Sequence, residues 1–581
     1  MSQPSQPGGQ HLPVNPNDPH FNMAELLEHW ARVQPDSLAV AVGKGQAGDA
    51  VPRFAERTFA ELNTLANRYA HALQARGLQR GDRVLLFVTD PIEFFAWVFA
   101  CCKCQVVFVL IDPGMGVKAM IRCVEEQKPK CMIGVAKAHV LRTLFPQAFK
   151  GCRLRFLVGG SFFPGAVSAS RAIARLPEQA QNAPTRSDAS SEDIAAIFYT
   201  SGSTGFPKGV VFTHAMMGGQ ANAIGQLFDF RPGEAHVACF PLFALIAGSL
   251  GMSAVVPTMN VAKPADTAPQ AVIAAFHHYR AKSGFGSPAL WEPFSRFIEA
   301  AAGTEAPVLL PDVTRLLTAG APVSPALHER LLSALPHGDV FTPYGATEAL
   351  PVAFIGGREV LTKTAERTRD GAGTCVGLPV SGVDVRIIDI SDDVVDQFEE
   401  DMSLPAGEIG EIIVRGPLIS RTYDQRPDAT QLSKINAADG TYFHRMGDVG
   451  YLDDEGRLWF CGRKSHRVQQ GDTLLFSVPC EAIAETHPQV YRAALVWAGE
   501  RPEQTPVMCI ELEKNVGASP RLLSEVKELL SAHTHTRMID HVLSHPGFPV
   551  DRRHNAKIER EQLSLWAEKQ LRKTSAHGRA A

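Results

Sequence analysis

The chain has 581 residues, which is enough for two or more domains that each bury a core. Lys and Arg number 57 against 61 Asp and Glu, so the net charge of −4 shows no basic excess and does not indicate a nucleic-acid partner. The 11 cysteines come without a recognisable secretory signal and are typical of a reducing compartment, so we expect a cytoplasmic protein.

The N-terminal region begins with a polar stretch rich in Pro and Gly, which predicts a disordered leader over residues 1–22. The segments RVLLFVTD, PIEFFAWVFACCKC and QVVFVLIDP then predict a strand, a buried helix and a second strand. Glu93 and Lys103 interrupt this apolar run, so we expect no transmembrane segment. Cys101 and Cys104 form a C-x-x-C pair without a second pair, and we interpret them as core residues.

The rest of the chain repeats the strand and helix alternation. IAAIFYT, VTRLLTAG and DVFTPYG predict further buried strands that end in small or polar loops. Short strands separated by Gly and Asp turns predict a mostly β subdomain between about 376 and 460. The predicted fold class is α/β, with a large N-terminal domain of layered sheets over residues 23–463 and a small α+β C-terminal domain over residues 464–581.

A loop rich in Gly and Ser follows the strand IAAIFYT and has the composition of a phosphate-binding loop. Backbone N–H groups, hydroxyls and one lysine would contact the anion, and these residues are Thr200, Ser201, Gly202, Ser203, Thr204, Gly205 and Lys208. A Walker loop is excluded because Pro207 and Gly209 stand where Gly and Ser or Thr are needed. A serine-hydrolase elbow is excluded because Ser201 occupies its first glycine position.

Together, TSGSTGFPKG, TAGAP, YGATE and RMGDVGYLDDEGRLWFCGR resemble the motifs of the adenylate-forming superfamily, in the same order along the chain. The resemblance implies that ATP and Mg²⁺ are the cofactors and that residues 23–463 form an AMP-binding domain. It also implies the site residues: Gly320, Ala321, Pro322, Tyr344 and Gly345 beside adenine, Thr347 at the phosphate, Glu348 at Mg²⁺, Asp448 at the ribose and Arg463 at the nucleotide. An aromatic face for a base and a carboxylate for a hard cation fit these roles.

HNAKIEREQ resembles the closing motif of the same superfamily and places Lys557 on the C-terminal domain, which the resemblance implies is a mobile lid. The catalytic residues implied are then Lys557, Lys208, Thr347 and Glu348. A carboxylate that attacks the α-phosphate is already an anion. It therefore needs neutralisation of charge by Lys557 and Mg²⁺, and no general base.

Three features depart from the pattern of acyl-CoA synthetases. Ala244 replaces a common His, Ser465 stands two residues after the hinge arginine in place of Asp or Lys, and the closing motif reads HNAK where Ser/Thr-Gly usually leads to the lysine. With FPLFAL, GAGTCVG and HPGFPVDRRHNAKI, these segments are similar to the β-lactone synthetases of bacterial olefin biosynthesis. That resemblance implies a 2-alkyl-3-hydroxy long-chain fatty acid as substrate, with its own hydroxyl as acyl acceptor. It also implies an association with other olefin-pathway enzymes. A long-chain fatty acyl-CoA synthetase and a catalytically silent binding protein are the alternatives.

The substrate pocket and the base for lactone closure are less defined in the sequence. Phe240, Phe243, Phe285 and Trp291 lie in segments that resemble acyl-pocket walls, and each is equally compatible with the core. Four histidines have no assigned role, and they are His214, His533, His535 and His554. The deprotonating group therefore stays unassigned.

Overall fold

The computed structural model describes residues 12–45, 52–177, 188, 190–200, 206–261, 263–304, 307–550 and 558–578 of the chain. In these residues the strands form two large sheets, one small three-stranded sheet and a short two-stranded hairpin. Helices and strands alternate along most of the chain, so the predicted α/β class is confirmed.

The strands, in chain order, are β1 (Leu38–Lys44), β2 (Arg53–Thr58), β3 (Arg83–Phe87), β4 (Val107–Ile111), β5 (Cys131–Gly134), β6 (Leu154–Leu157), β7 (Val167–Ser168), β8 (Ile194–Thr200), β9 (Lys208–Thr213), β10 (Ala235–Ala238), β11 (Ser253–Val256), β12 (Ser283–Gly286), β13 (Arg315–Thr318), β14 (Asp339–Ala346), β15 (Ala349–Gly356), β16 (Thr374–Pro379), β17 (Asp384–Ile388), β18 (Gly410–Arg415), β19 (Lys434–Asn436), β20 (Tyr442–Leu452), β21 (Leu458–Arg463), β22 (Val468–Gln470), β23 (Thr473–Leu475), β24 (Val490–Ala498), β25 (Thr505–Leu512) and β26 (His541–Ser544).

The α-helices, in chain order, are α1 (Ala24–Val33), α2 (Phe59–Gln74), α3 (Pro91–Lys103), α4 (Val117–Gln127), α5 (Ala136–Leu144), α6 (Ala169–Ala174), α7 (His214–Leu227), α8 (Pro241–Ser249), α9 (Pro269–His278), α10 (Pro288–Ala301), α11 (Pro325–Leu332), α12 (Gly357–Glu359), α13 (Ala365–Arg369), α14 (Pro427–Ser433), α15 (Ser477–Ala484), α16 (Pro520–Ser531) and α17 (Arg560–Gly578). In the described residues, none of them is both long enough and apolar enough to cross a membrane.

The first sheet has seven strands in the order β7-β6-β5-β3-β4-β8-β9. All neighbours pair in parallel except β8 and β9, which are antiparallel. Along β3, β4 and β8 the side chains alternate between the two faces, and each face packs in a different hydrophobic core. The sheet therefore separates two cores, and its carboxyl ends lie between them.

The second sheet has fourteen strands and combines a parallel part with an antiparallel part. Strands β14, β13, β12, β10, β11 and β1 lie in that order and pair in parallel with one another, and β2 pairs antiparallel with β1 at the edge of the sheet. From β15 onward the pairs are antiparallel, through β16, β21, β20, β18 and β17. This antiparallel part corresponds to the β-rich subdomain predicted between residues 376 and 460.

The C-terminal part is built on the three-stranded sheet β24-β25-β26. Alternate side chains of β24 and β25 face two separate cores. One core contains residues of α15 and α16, and the other contains Leu563 and Ala567 of α17. The sheet is thus covered by helices on both faces, which gives this part its own α+β architecture.

Helix α3 illustrates how the apolar sequence folds. Asp90 caps the helix by accepting hydrogen bonds from the Ile92 and Glu93 N–H groups at 3.0 and 3.2 Å, and Pro91 occupies the first helical position. Almost every side chain of the helix is buried, which explains the long apolar run. All 11 cysteines of the chain are buried and free, so Cys101 and Cys104 are core residues.

The structure differs from the predicted disordered leader over residues 12–22. Leu12 and Phe21 are 3% and 1% exposed and belong to the core between the two large sheets. The Leu12 N–H donates a hydrogen bond to Asn222 Oδ1 at 3.0 Å. Two apolar side chains in this polar stretch are sufficient to hold it against α7, an effect that composition does not reveal. Residues 1–11 lie outside the described part.

Candidate active site

A large cavity of about 3190 Å³ lies where the carboxyl ends of both sets of parallel strands meet. Its lining includes residues that follow β3, β4, β13 and β14, together with parts of β20 and β21. Residues of α15 and of the segment around Arg560 line it from the C-terminal part. A crevice at the carboxyl ends of parallel strands is the common ligand site of open α/β sheets.

At the predicted nucleotide end of the cavity, Tyr344, Asp448 and Arg463 form one hydrogen-bonded group. The Tyr344 hydroxyl donates to Asp448 Oδ2 at 2.7 Å, and Arg463 Nη1 lies 2.8 Å from Asp448 Oδ1. Asp448 and Arg463 are brought together because they are register partners on β20 and β21. Burial raises the pKa of the Asp448 carboxyl, whereas Arg463 stabilises its anionic form.

Two glycines shape the backbone beside this group. Gly320 follows β13 with a φ of +105°, and a Cβ atom there would meet no heavy atom within 4 Å, so the backbone is open to the cavity. At Gly345 a Cβ atom would lie 2.5 Å from the Ala349 carbonyl oxygen, so a side chain would disrupt the turn between β14 and β15. Ala321 and Pro322 also line the cavity.

At the predicted phosphate end of the cavity, Tyr423 contacts both Glu348, through its hydroxyl, and Lys208, through its ring. The Tyr423 hydroxyl donates to Glu348 Oε1 at 2.7 Å, and the Lys208 Nζ atom lies 5.0 Å from the centre of the Tyr423 ring. Lys208, Thr347 and Glu348 all line the cavity. The structure therefore brings these three predicted residues to one cavity, together with Tyr423, which the sequence did not indicate.

The donor set fits a magnesium ion that is held mainly by a substrate phosphate. Within the described part of the chain, Glu348 Oε2 accepts no hydrogen bond, and no cluster of three or more His, Cys, Asp or Glu side chains could hold a metal by itself. Mg²⁺ usually takes one or two carboxylates and completes its shell with phosphate oxygens and water. Glu348 is suited to that arrangement.

Several predicted residues lie outside the described residues, and they are Ser201, Gly202, Ser203, Thr204, Gly205 and Lys557. For Thr200 only the backbone is described. Thr200 and Lys208 are register partners on β8 and β9, so the two strand ends that flank the predicted phosphate-binding loop lie side by side. His554 also lies outside the described part.

The predicted acyl-pocket residues fall into two groups. Phe240, Phe243 and Phe285 line the cavity, with the Phe243 and Phe285 rings stacked at 3.6 Å between centroids and 6° between planes. Trp291 is fully buried in a separate core behind β12 and β13, and its Nε1 donates to the Leu317 carbonyl at 3.2 Å. We therefore do not retain Trp291 as a pocket residue.

Apolar lining is present on both faces of the seven-stranded sheet. Leu86, Leu110 and Phe198 face the core that contains Phe243, whereas their chain neighbours Phe87, Ile111 and Tyr199 face the other core. All six line the cavity. The cavity therefore passes around the carboxyl ends of β3, β4 and β8 and reaches apolar surface on both sides.

Two further polar residues near Glu348 escaped the sequence analysis. Lys434 Nζ donates to the Ser420 carbonyl and lies 3.1 Å from His444 Nδ1. Burial lowers the pKa of Lys434 to about 7, and the nearby Glu348 opposes that shift. Burial and the lysine also hold the pKa of His444 well below its usual range. Lys434 lies in none of the quoted motifs, and His444 directly precedes the motif that begins at Arg445 but was not identified as a site residue.

The histidines considered in the sequence have ordinary structural surroundings. His214 is buried, accepts a hydrogen bond from the Met23 N–H at 3.3 Å, and has its pKa lowered to about 4 by burial. His533 and His535 lie with their ring centroids 6.1 Å apart, in the C-terminal part. Two of the positions that depart from the acyl-CoA synthetase pattern are also described. Ala244 is buried in α8, and Ser465 lies two residues after Arg463, in the link to the C-terminal part.

The comparisons with known proteins identify this two-part α/β fold as that of an AMP-binding enzyme. The model of the AMP-binding enzyme family matches residues 27–424, so the chain belongs to that family. The anthranilate CoA ligase AuaEII, solved in complex with anthranoyl-AMP, has the same fold, with a TM-score of 0.75 at 18% identity over 95% of this chain and 98% of that one.

More particularly, the chain is similar to the olefin beta-lactone synthetases. It is 40% identical over 560 residues to the enzyme of Xanthomonas campestris pv. campestris, covering 94% of this chain and 98% of that protein. It is 39% identical over 559 residues to the enzyme of Stenotrophomonas maltophilia, covering 95% of this chain and 99% of that protein. The resemblance stated from the motifs is thereby confirmed at the level of the whole chain.

Proposed function

We propose that the protein is an ATP-dependent ligase that adenylates a 2-alkyl-3-hydroxy long-chain fatty acid and closes it to a β-lactone, with release of pyrophosphate and AMP. The observation that carries this proposal is the 40% identity to an olefin beta-lactone synthetase over 94% of the chain. The cavity adds support, because one end offers polar groups for a nucleotide and the other offers apolar surface for alkyl chains.

The nucleotide side is proposed to bind adenosine. Tyr344 packs its ring along adenine, with Gly320, Ala321, Pro322 and Gly345 as backbone neighbours. Asp448 accepts hydrogen bonds from the ribose hydroxyls, and Arg463 holds that carboxylate as an anion. This role is supported by the open backbone at Gly320 and by the 2.7 Å hydrogen bond that orients Asp448.

The phosphate side is proposed to hold the triphosphate. The residues are Thr200, Ser201, Gly202, Ser203, Thr204 and Gly205 in the loop, with Lys208 and Thr347 as side-chain donors. Glu348 would hold Mg²⁺, which when bound supplies positive charge to the phosphate oxygens. Lys557 would enter from residues 464–581, which we propose as a mobile lid on the AMP-binding domain of residues 23–463.

In the first step, a carboxylate oxygen of the fatty acid attacks the α-phosphorus and pyrophosphate leaves. The nucleophile is already ionised, so the protein needs to orient it and to stabilise negative charge on the phosphate. Lys208, Thr347 and Lys557 are suited to that task as hydrogen-bond donors. The product is an acyl-AMP.

In the second step, the β-hydroxyl oxygen attacks the acyl carbonyl carbon of the same molecule. The new C–O bond closes the four-membered ring, the bond between the carbonyl carbon and the phosphate oxygen breaks, and the hydroxyl proton is lost as AMP leaves. A tethered nucleophile needs no second substrate. The buried Ala244, where many acyl-CoA synthetases have a histidine, is compatible with a site that receives no thiol.

The apolar side is proposed to bind the alkyl chains. Phe240, Phe243 and Phe285 line it on one face of the seven-stranded sheet, and Phe87 and Ile111 line it on the other. A 2-alkyl-3-hydroxy acid has two chains that diverge at adjacent carbons. Apolar surface on both faces supports such a branched substrate, because each chain then has a place to be buried.

The setting of the reaction is also a proposal. We infer a cytoplasmic location, which is supported by the 11 buried and free cysteines. An association with other enzymes of the olefin pathway remains a prediction from the resemblance.

The direct test is a product assay with the purified protein, ATP, Mg²⁺ and either a 2-alkyl-3-hydroxy acid or a plain fatty acid, with and without CoA. Mass spectrometry should identify a β-lactone from the hydroxy acid in the absence of CoA. A CoA thioester as the only acyl product would instead establish the acyl-CoA synthetase alternative. A protein that binds ATP and forms neither product would be catalytically silent.

A further inference from the structure

Residues 419–424 connect the turn between β14 and β15, which carries Glu348, to strand β9, which carries Lys208, and we call them the connecting segment. At its start the Ser420 N–H donates to the Glu348 carbonyl at 2.8 Å, and the Ser420 hydroxyl donates to the Val211 carbonyl at 3.0 Å. At its end the Asp424 N–H donates to the Gly209 carbonyl at 2.8 Å. The segment therefore spans from the start of β15 to β9.

The far end of the connecting segment is anchored to the seven-stranded sheet. Asp424 accepts hydrogen bonds from Arg83 at 2.8 and 2.9 Å and from Gln127 Nε2 at 2.8 Å. Its side chain is 8% exposed, so this paired carboxylate is largely removed from water. Charge-assisted bonds of this kind are stronger than neutral ones and hold the segment in one position.

Tyr423 lies between the two groups that the segment connects. It is 7% exposed, its hydroxyl donates to Glu348 Oε1 at 2.7 Å, and its ring centre lies 5.0 Å from Lys208 Nζ. A cation at this distance from an aromatic face is attracted to it. Burial raises the pKa of the Tyr423 phenol, so the hydroxyl remains a donor across the physiological range.

We propose that Tyr423 is a positioning residue that sets the Glu348 carboxylate and the Lys208 ammonium at a fixed separation. By occupying Glu348 Oε1, the hydroxyl directs the other carboxylate oxygen, Oε2, towards the cavity. The ring restricts Lys208, whose ammonium lies over it. This proposal rests on the proposed roles of Glu348 at Mg²⁺ and Lys208 at the phosphates, because Tyr423 acts through them.

The test is the magnesium dependence of ATP binding, measured by isothermal titration calorimetry on the full chain without fatty acid. Tyr423→Phe removes the hydroxyl and keeps the ring, so it should raise the Mg²⁺ concentration needed for half-maximal ATP affinity by about tenfold, the scale of a hydrogen bond to a charged group. ATP affinity in EDTA should be unchanged, because Lys208 still faces the ring. A purely structural role would weaken binding under both conditions.

Tyr442→Phe is a matched control, because the Tyr442 hydroxyl donates to the Ile419 carbonyl of the same segment at 2.7 Å without touching Glu348. It should leave the magnesium titration unshifted. Tyr423→Leu should weaken ATP binding in EDTA as well, since the ring facing Lys208 is lost. A Tyr423→Phe titration that superimposes on the wild type would overturn the proposal, and so would an equal shift in Tyr442→Phe.

A double-mutant cycle supplies a second criterion. In a Glu348→Gln background, Tyr423→Phe should cause no further shift in the magnesium titration, because its target carboxylate is already absent. Fully additive shifts would show that Tyr423 acts elsewhere and would overturn the proposal. Because ATP binding is measured without an acyl substrate, this outcome is independent of whether the protein forms a lactone.

Discussion

On the proposed nucleotide side of the cavity, Tyr344, Glu348, Asp448 and Arg463 each have a polar partner, whereas on the proposed acyl side the contacts are between apolar rings. Asp448 is fixed by Tyr344 and Arg463, and Glu348 is fixed by Tyr423. Phe243 is held by stacking on Phe285. Hydrogen bonds are directional and packing is not, so substitutions should be sharply position-dependent on the first side and graded with volume on the second.

The largest effect is expected for Lys557→Ala. Removing one group that stabilises charge in the transition state typically lowers the rate by about 10²–10³. Exchange of pyrophosphate into ATP, in the presence of the fatty acid, measures the adenylation step directly. Lys514→Ala, which removes an exposed lysine of the same C-terminal part, should retain the wild-type rate. Equal rates for Lys557→Ala and the wild type would exclude Lys557 from the site.

The next effect is expected for Asp448→Asn. The change removes a carboxylate acceptor and leaves Arg463 without its ion-pair partner, so the affinity for ATP should fall by about tenfold or more. The affinity for the fatty acid should stay the same, because the acyl side has no contact with this carboxylate. Calorimetric titrations with each ligand separately would measure both. An equal loss of affinity for the fatty acid would contradict the proposal that the two sides of the cavity bind their ligands independently.

The two sides should also differ in their response to pH. Burial raises the pKa of Asp448 above its usual 3.8, so the carboxylate becomes protonated at a higher pH than an ordinary aspartate. As pH falls towards that raised value, the acceptor for the ribose hydroxyls is lost and ATP should bind more weakly. In Asp448→Asn this acidic limb should be absent. If ATP binding by Asp448→Asn weakened at low pH as it does in the wild type, the pH dependence would belong to another group.

Smaller effects are expected on the acyl side, where Ile246→Trp and Leu141→Trp form a matched pair on opposite faces of the seven-stranded sheet. Both side chains are half-buried and line the cavity. In each variant the larger Trp side chain should raise the KM for substrates with long chains by a few fold. The KM values for short-chain substrates and for ATP should not change. KM should be measured with two substrate series, one that varies the length of the 2-alkyl chain and one that varies the chain beyond C3. The two series would show whether Ile246→Trp and Leu141→Trp each restrict a different chain.

Motifs in chain order led to residues that the structure brings together in the cavity. Tyr344, Asp448 and Arg463 could be found because each lies in a short motif whose spacing is set by a strand end or a turn. Tyr423 could not be found in this way, because the segment that carries it has no unusual composition. Its contacts with Glu348 and Lys208 arise only because the folded segment crosses between β15 and β9.

The acyl side was less predictable, since apolar residues look alike in sequence. Phe243 and Trp291 both lie in apolar helical segments, yet one lines the cavity and the other is fully buried behind the sheet. The difference depends on which face of a helix meets which sheet, and that is decided by tertiary packing. Leu12 and Phe21 show the same effect in a stretch whose composition predicts disorder.

The central claim, that the carboxylate is activated and the β-hydroxyl closes the ring, can be tested by isotope labelling. A 2-alkyl-3-hydroxy acid carrying ¹⁸O in both carboxylate oxygens should give AMP with one ¹⁸O atom and a lactone that retains one, in its carbonyl. If the hydroxyl were adenylated and then displaced, the lactone would keep both labels and AMP would carry none. Mass spectrometry of the two products distinguishes these results, and unlabelled AMP would contradict the proposed mechanism.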